Sequence, residues 1–406
     1  MLNYTKYTQK IAYYEHKLNK YNKKLNEYND QQNMIGGDET YVGRNQYICT
    51  AKQTSSGEVK QINTGQTTVI IGEHRDDYVR EKCVVKLFDD PIPCNNELKK
   101  FNNIDKHMPS SVKEYVVGIR DNRCDGDVEN PFLILKYAGQ FSLKEMIYKN
   151  NWMLYKHDHD IANNALFRRT IFHVLLNRLY QIHKTHIMYD IKPDNIILNT
   201  TTNNARVCID PIYIDAETIE PIDNCKIVNV ETTSRFYTPS ALATRAMNIP
   251  HNDVVLITKL NDIFAIVSSF VSDVQDMSPY SNRYVTILGF ANGIVGADDK
   301  GNFIMHHKFN DALMQLIELD PFFAYIYDKY QTMLLIFNNV FKSSDNGKTY
   351  KYVSGYVNDS IIDDLYDNTG NCDAVEMDIS IFNAEFIKKY KKDISSQLKK
   401  DSCNVL

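Results

Sequence analysis

The chain has 406 residues, of which 43% are hydrophobic and 24% charged, an ordinary globular composition with enough apolar material to bury a sizeable core. A formal net charge of -5 gives no global attraction to nucleic acid or to an anionic membrane, so neither partner is expected. The best apolar run, Ile263 to Val271, falls well short of the ~18 residues that a membrane span needs. The eight cysteines (Cys49, Cys83, Cys94, Cys124, Cys208, Cys225, Cys372 and Cys403) show no C-x-x-C pair and no metal-ligand spacing. Reduced thiols in a cytosol-like compartment are therefore expected.

In chain order, Tyr4, Tyr7, Ile11, Tyr14, Leu18, Tyr21, Leu25 and Tyr28 recur at steps of three and four, and Gly36-Gly37 follows as a stop. The pattern predicts an amphipathic leader helix over 1–37, lying on its own domain or on a partner, or self-associating as a coiled coil. From Gln46 to Phe88 the runs "NQYICTA", "GEVKQIN", "TTVIIGE" and "KCVVKLF" read as strands between turns. A charged helix, "NNELKKFNNI", comes next, then a buried strand, "PFLILKYAG".

From Ser142 to Lys184 the pattern turns helical, with Leu166, Phe172, Leu175, Leu176, Leu179 and Ile182 on one stripe. "HIMYDIKPDNIIL" then sets Asp190, Lys192 and Asn195 in an apolar frame, as a short loop held between strands would. After Asp215 the chain is irregular to about Ser240, and apolar helical segments follow to Phe341. Beyond Lys342 it reads as a polar, acidic tail with a basic amphipathic end, "AEFIKKYKKDISSQLKK". The "KHDHD" stretch, Lys156 to Asp160, reads as a solvated loop, because alternate residues face opposite ways and no other His/Cys cluster accompanies it.

"LYQIHKTHIMYDIKPDNIIL" resembles the protein-kinase catalytic loop, with Asp190, Lys192 and Asn195 on the aspartate, lysine and asparagine of H-R-D-x-K-x-x-N and His183 in the preceding helix. That resemblance implies Asp190 as the catalytic orienter of an acceptor hydroxyl, Lys192 as neutraliser of the transferred phosphoryl group, and Asn195 as a metal ligand. "IYID" then puts Asp215 in the place of the D-F-G aspartate as the second Mg²⁺ ligand, with Asp210 as its competitor. "KCVVKLF" resembles the V-A-I-K strand, placing Lys86 on the ATP phosphates with Glu97, or else Glu114, as its ion-pair partner. The hinge would be "FLILKYAG", with Leu135 as gatekeeper and the backbone of Lys136 to Ala138 on adenine. Asp262 in "KLNDIFAIVSSF" looks like the buried anchor beneath the catalytic loop, and Pro239 like part of the segment closing the activation loop.

The resemblance implies an α+β, bilobal protein-kinase-like fold with a β-rich N-lobe and an α-helical C-lobe. Its expected bounds are a leader over 1–37, a kinase-like domain over 38–345 (N-lobe about 45–138, C-lobe about 139–345) and a tail over 346–406. Departures are plain. Only Gly57 and Val59 match the glycine-rich loop, with Lys52 and Thr54 at other glycine positions. Met188 and Tyr189 replace the histidine and arginine of H-R-D, removing the arginine that pairs with an activation-loop phosphate. Asp215-Ala216-Glu217 is also similar to kinase-like folds that phosphorylate small molecules. A serine/threonine protein kinase using ATP and Mg²⁺ on a protein substrate, a pseudokinase scaffold and a small-molecule kinase all stay open. The leader resembles lysine-, tyrosine- and asparagine-rich extensions in giant DNA viruses of the mimivirus kind, which implies the host cytoplasm, a viral factory or a virion.

Overall fold

The computed structural model describes residues 40–42, 47–49, 62–63, 67–74, 82–124, 131–139, 141–144, 158–203, 206–226, 249–271, 295–319, 321–343, 350–353, 359–366 and 372–378. The leader helix expected over 1–37, Gly57, Val59 and the segment around Pro239 lie outside the described residues. The chain divides into two compact units, Met1–Asn95 with Ile119–Tyr137, and Asn96–Gly118 with Ala138–Leu406.

The strands of the first unit are β1 (Thr40–Val42), β2 (Tyr47–Cys49), β3 (Ile62–Asn63), β4 (Thr67–His74), β5 (Lys82–Phe88), β6 (Ile119–Arg123) and β7 (Phe132–Lys136). They form one sheet in the order β1-β2-β4-β5-β7-β6, with β3 beside β4. Alternation along "KCVVKLF" sorts its side chains between the two faces. Cys83 and Val85 join Phe132 and Ile134 in a buried cluster, with Leu87 packed against it. Lys86 takes the other face, in register with Val69 and Leu133.

The expectation of reduced thiols throughout is corrected at one pair. Cys94, in the first turn of α1 (Pro91–His107), is disulfide-bonded to Cys124 just past β6, with Cα atoms 5.4 Å apart. The return of the chain along β6 brings the two together. No local spacing announces that.

The second unit holds most of α1, then α2 (Ser110–Lys113), β8 (Phe141–Ser142), α3 (Asp158–Ile182), β9 (His186–Ile187), β10 (Ile196–Asn203), β11 (Arg206–Tyr213), β12 (Glu220–Pro221) and α4 (His251–Ser269). Further along come β13 (Val295–Ala297), β14 (Phe303–Met305), α5 (His307–Leu319), α6 (Phe322–Val340), β15 (Phe341–Ser343), β16 (Tyr350–Tyr352), α7 (Asp359–Asp363) and β17 (Val375–Asp378). Strands dominate the first unit and helices the second, as an α+β class requires. Asn96–Gly118, within the stretch read as N-lobe, groups with the second unit.

Helices α3, α4 and α6 meet at Phe172, whose ring stands edge-on to Phe270, Phe322 and Tyr325 at 5.1, 5.9 and 5.6 Å. Along α3 the residues Phe172, Leu175, Leu176, Leu179 and Ile182 are buried, whereas Leu166, read on the same stripe, is exposed. Ser142 is not helical: Phe141 and Ser142 pair with Leu198 and Ile197 at the edge of a sheet ordered β17-β11-β10-β8. Just before that edge, Gly139 has φ +142°, and a Cβ there would lie 2.8 Å from Asn199 Cα. Only glycine lets the chain pass β10 so closely.

Described residues beyond 345 also pair and pack. Residues of β16 pair with β15, Ile362, Leu365 and Tyr366 are buried, and β17 pairs with β11 from Val375↔Ile209 to Asp378↔Arg206. Exposed Asp363 and Asp364 stand between buried Ile362 and Leu365, so composition alone shows a solvated tail where the fold has a packed segment. No helix among the described residues is long and apolar enough to cross a membrane.

Candidate active site

The β10–β11 hairpin sets the site. Ile196 pairs with Tyr213, so the loop entering β10 and the turn leaving β11 emerge side by side. Asn195 N donates to Lys192 O at 2.9 Å and closes a single 3₁₀ turn, Pro193–Asn195, while Ile214 N donates to Asn195 O at 2.9 Å. Ile187, Ile191, Ile196 and Leu198 are buried around this loop. The polar side chains between them are thereby fixed in direction.

Three of those side chains meet a fourth, Asp215, from the turn after β11. Lys192 Nζ lies 2.5 Å from Asp190 Oδ2. Asn195 Nδ2 reaches Asp190 O at 3.0 Å, Asp190 Oδ2 at 3.2 Å and Asp215 Oδ2 at 3.3 Å, so one buried amide spans both carboxylates. Asp215 adopts the left-handed conformation, φ 70° and ψ 59°, uncommon for a non-glycine residue and most tolerable for Asn or Asp. Asp210, the competitor in the sequence, is engaged elsewhere. Its carboxylate pairs with Arg178 at 2.7 Å, and the same guanidinium lies over the Tyr115 ring and donates to Pro211 O.

Behind the loop, Asp262 on α4 accepts from Met188 N at 2.8 Å, from Tyr189 N at 3.1 Å and from His183 Nε2 at 2.9 Å. Burial holds the His183 pKa below its usual range despite the carboxylate beside it, so the ring is neutral and its one proton belongs on the nitrogen facing Asp262. Tyr189 has φ 63°, and its hydroxyl donates to Lys226 O at 3.0 Å and accepts from Lys226 N at 2.9 Å. Burial pushes the Tyr189 phenol well above its ordinary pKa, which keeps it protonated as a donor.

The remaining sequence-predicted residues divide between the units. Lys86, half-buried, and Lys136, exposed, stand on the first unit's β5 and β7, where Leu135 is buried. Glu97 on α1 and Ala138 ahead of Gly139 belong to the second unit and are buried, whereas Glu114 is exposed at the end of α2. Sequence reasoning missed Arg178 and Tyr366. The arginine interrupts an apolar helical stripe and was a detectable signal; the tyrosine sits in a stretch that reads as tail.

Among the described residues no group of three or more His, Cys, Asp or Glu side chains is gathered as a metal site. The oxygen-only set of Asp190, Asn195 and Asp215 nevertheless suits a hard cation such as Mg²⁺, which takes only one or two carboxylates and completes its shell with water and phosphate.

No protein-family profile matches the chain, and no curated protein matches it. Among solved structures it is similar to the crystal structure of PF14_0431, kinase domain, at 14% identity and a TM-score of 0.40, over 58% of this chain and 65% of that one. The chain thus covers just under two thirds of that domain's length.

Proposed function

We propose that the chain is a protein kinase that transfers the γ-phosphoryl group of ATP to a serine or threonine hydroxyl. The carrying observation is the hydrogen-bonded cluster of Asp190, Lys192, Asn195 and Asp215 on one buried frame. Asp190 accepts the hydroxyl proton and aims the oxygen in line with the γ-phosphorus; a new P–O bond forms as the bond to the β-phosphate oxygen breaks and ADP leaves. Lys192, on a flexible stem beside Asp190, neutralises charge on the transferred group. Asp215 and Asn195 would hold Mg²⁺, which when bound supplies neutralisation of the phosphate oxygens. Lys86 is proposed to meet the nucleotide's α- and β-phosphates from its rigid strand.

Purified protein with γ-labelled ATP, a generic protein acceptor and Mg²⁺ should label serine or threonine, and chelation of the cation should stop it. Label found only on a small hydroxylated acceptor would replace this reading with a small-molecule kinase. Binding of ATP without any transfer would make the chain a pseudokinase scaffold.

A further inference from the structure

The segment after the second-unit helices is held by polar contacts that converge on the loop carrying Asp190. Tyr366, 1% exposed, has its hydroxyl 2.6 Å from His183 Nδ1. His183 Nε2 lies on Asp262 Oδ2, and Asp262 takes the amides of Met188 and Tyr189, the residues directly before Asp190. Carboxylate on one side of the imidazole fixes the direction of every bond. Tyr366 donates to Nδ1, His183 donates through Nε2, and Asp262 accepts from the ring and from both backbone amides.

Two further contacts tie the same segment down. Arg178 Nε donates to Cys372 O at 2.9 Å, and its guanidinium also holds Asp210 on β11, the strand that leads to Asp215. Lys329 Nζ donates to Leu365 O at 2.9 Å from α6. Together with β17 alongside β11, the bonds of Tyr366 and Cys372 run toward the two segments that carry the proposed catalytic cluster, the Asp190 loop and the strand before Asp215, while the Leu365 bond holds the segment to α6.

We propose that residues 359–366 and 372–378 form a clasp that positions the loop carrying Asp190, with Tyr366 as a positioning residue acting through His183 and Asp262. For catalysis this rests on the kinase reading; its structural half does not. The clasp fixes where Asp190 stands while touching neither nucleotide nor acceptor, so it acts on kcat and leaves KM for ATP alone.

The test is full-length Tyr366→Phe, which keeps the ring and removes the hydroxyl. Amide exchange of Met188 and Tyr189 should quicken about tenfold, the size of one lost buried hydrogen bond, while Leu313 and Leu316 on α5 stay as in wild type. kcat should fall about tenfold with KM for ATP unchanged. Unchanged exchange at both amides overturns the clasp whatever the turnover; faster exchange with wild-type kcat overturns its catalytic role. Faster exchange in a chain whose wild type transfers no phosphoryl group sinks the kinase reading and leaves the clasp standing. Independently of any variant, ¹⁵N imidazole signals of the wild-type protein should show His183 neutral with its proton on Nε2. A proton on Nδ1 would break the relay.

Discussion

The loop that carries Asp190 has two sides built from the same residue types and put to different uses. On its back, Asp262 is 2% exposed and spends its carboxylate on two backbone amides and a buried histidine. On its front, Asp190 and Asp215 point to one shared amide, and the Lys192 side chain beside them is 29% exposed. A buried aspartate bonded to main chain fixes geometry, whereas carboxylates gathered at a partly open surface are available for a cation or a proton. The two sides should therefore fail in different ways when altered.

The largest expected effect is on the front. There Asp215→Asn, which suits the left-handed backbone, should lower phosphoryl transfer by about a thousandfold, on the scale of losing a group that stabilises transition-state charge, and Lys86→Met on β5 of the first unit should do the same, each with little change in the urea midpoint. Wild-type turnover in both variants would dissolve the distinction. Next comes the back: Asp262→Ala strands two amides and an imidazole N–H in the interior and should cost about 3 kcal/mol of stability or more, read by urea unfolding. A stable Asp262→Ala protein would mean that the back is not the anchor.

The front was legible in the sequence because its chemistry is local. Asp190, Lys192 and Asn195 lie within one short stretch, and "IYID" ends an apolar strand at Asp215. Asp262 could be read only through the resemblance of "KLNDIFAIVSSF" to a helix of the kinase family. The rest of the back could not. Tyr366 is 183 residues from His183, and only tertiary packing brings it there. The Cys94–Cys124 bond and the strand at Val375–Asp378 are likewise products of chain return rather than of spacing. Exposed acids beside buried Ile362, Leu365 and Tyr366 hid a packed segment behind a polar composition.

Smaller effects sharpen the contrast. Tyr189 links the loop to Lys226 through both main-chain groups with no phosphate involved. Phosphatase treatment should leave most of the rate, and Tyr189→Phe should cost about 1 kcal/mol of stability. A rate that collapses on dephosphorylation and returns on rephosphorylation would contradict this.

A pH-dependent effect concerns Lys329, whose pKa burial lowers to about 8 from an ordinary 10.5. The unfolded chain holds this proton more tightly than the folded one, so stability rises as pH climbs from about 8 to 10.5 and the unfavourable contribution is fully present below 8. Urea unfolding of wild type and Lys329→Met across that window should show this rise in the wild type only. Parallel curves would mean that the lysine is solvated.

The most direct measurement is the initial rate of labelled phosphoryl transfer by Asp190→Asn, taken together with its thermal midpoint. Asparagine keeps the shape and most of the hydrogen bonding to Asn195 but cannot take a proton, so the rate should fall by about a thousandfold while the midpoint stays near that of wild type. An unchanged rate would contradict the assignment of this loop as the site of phosphoryl transfer.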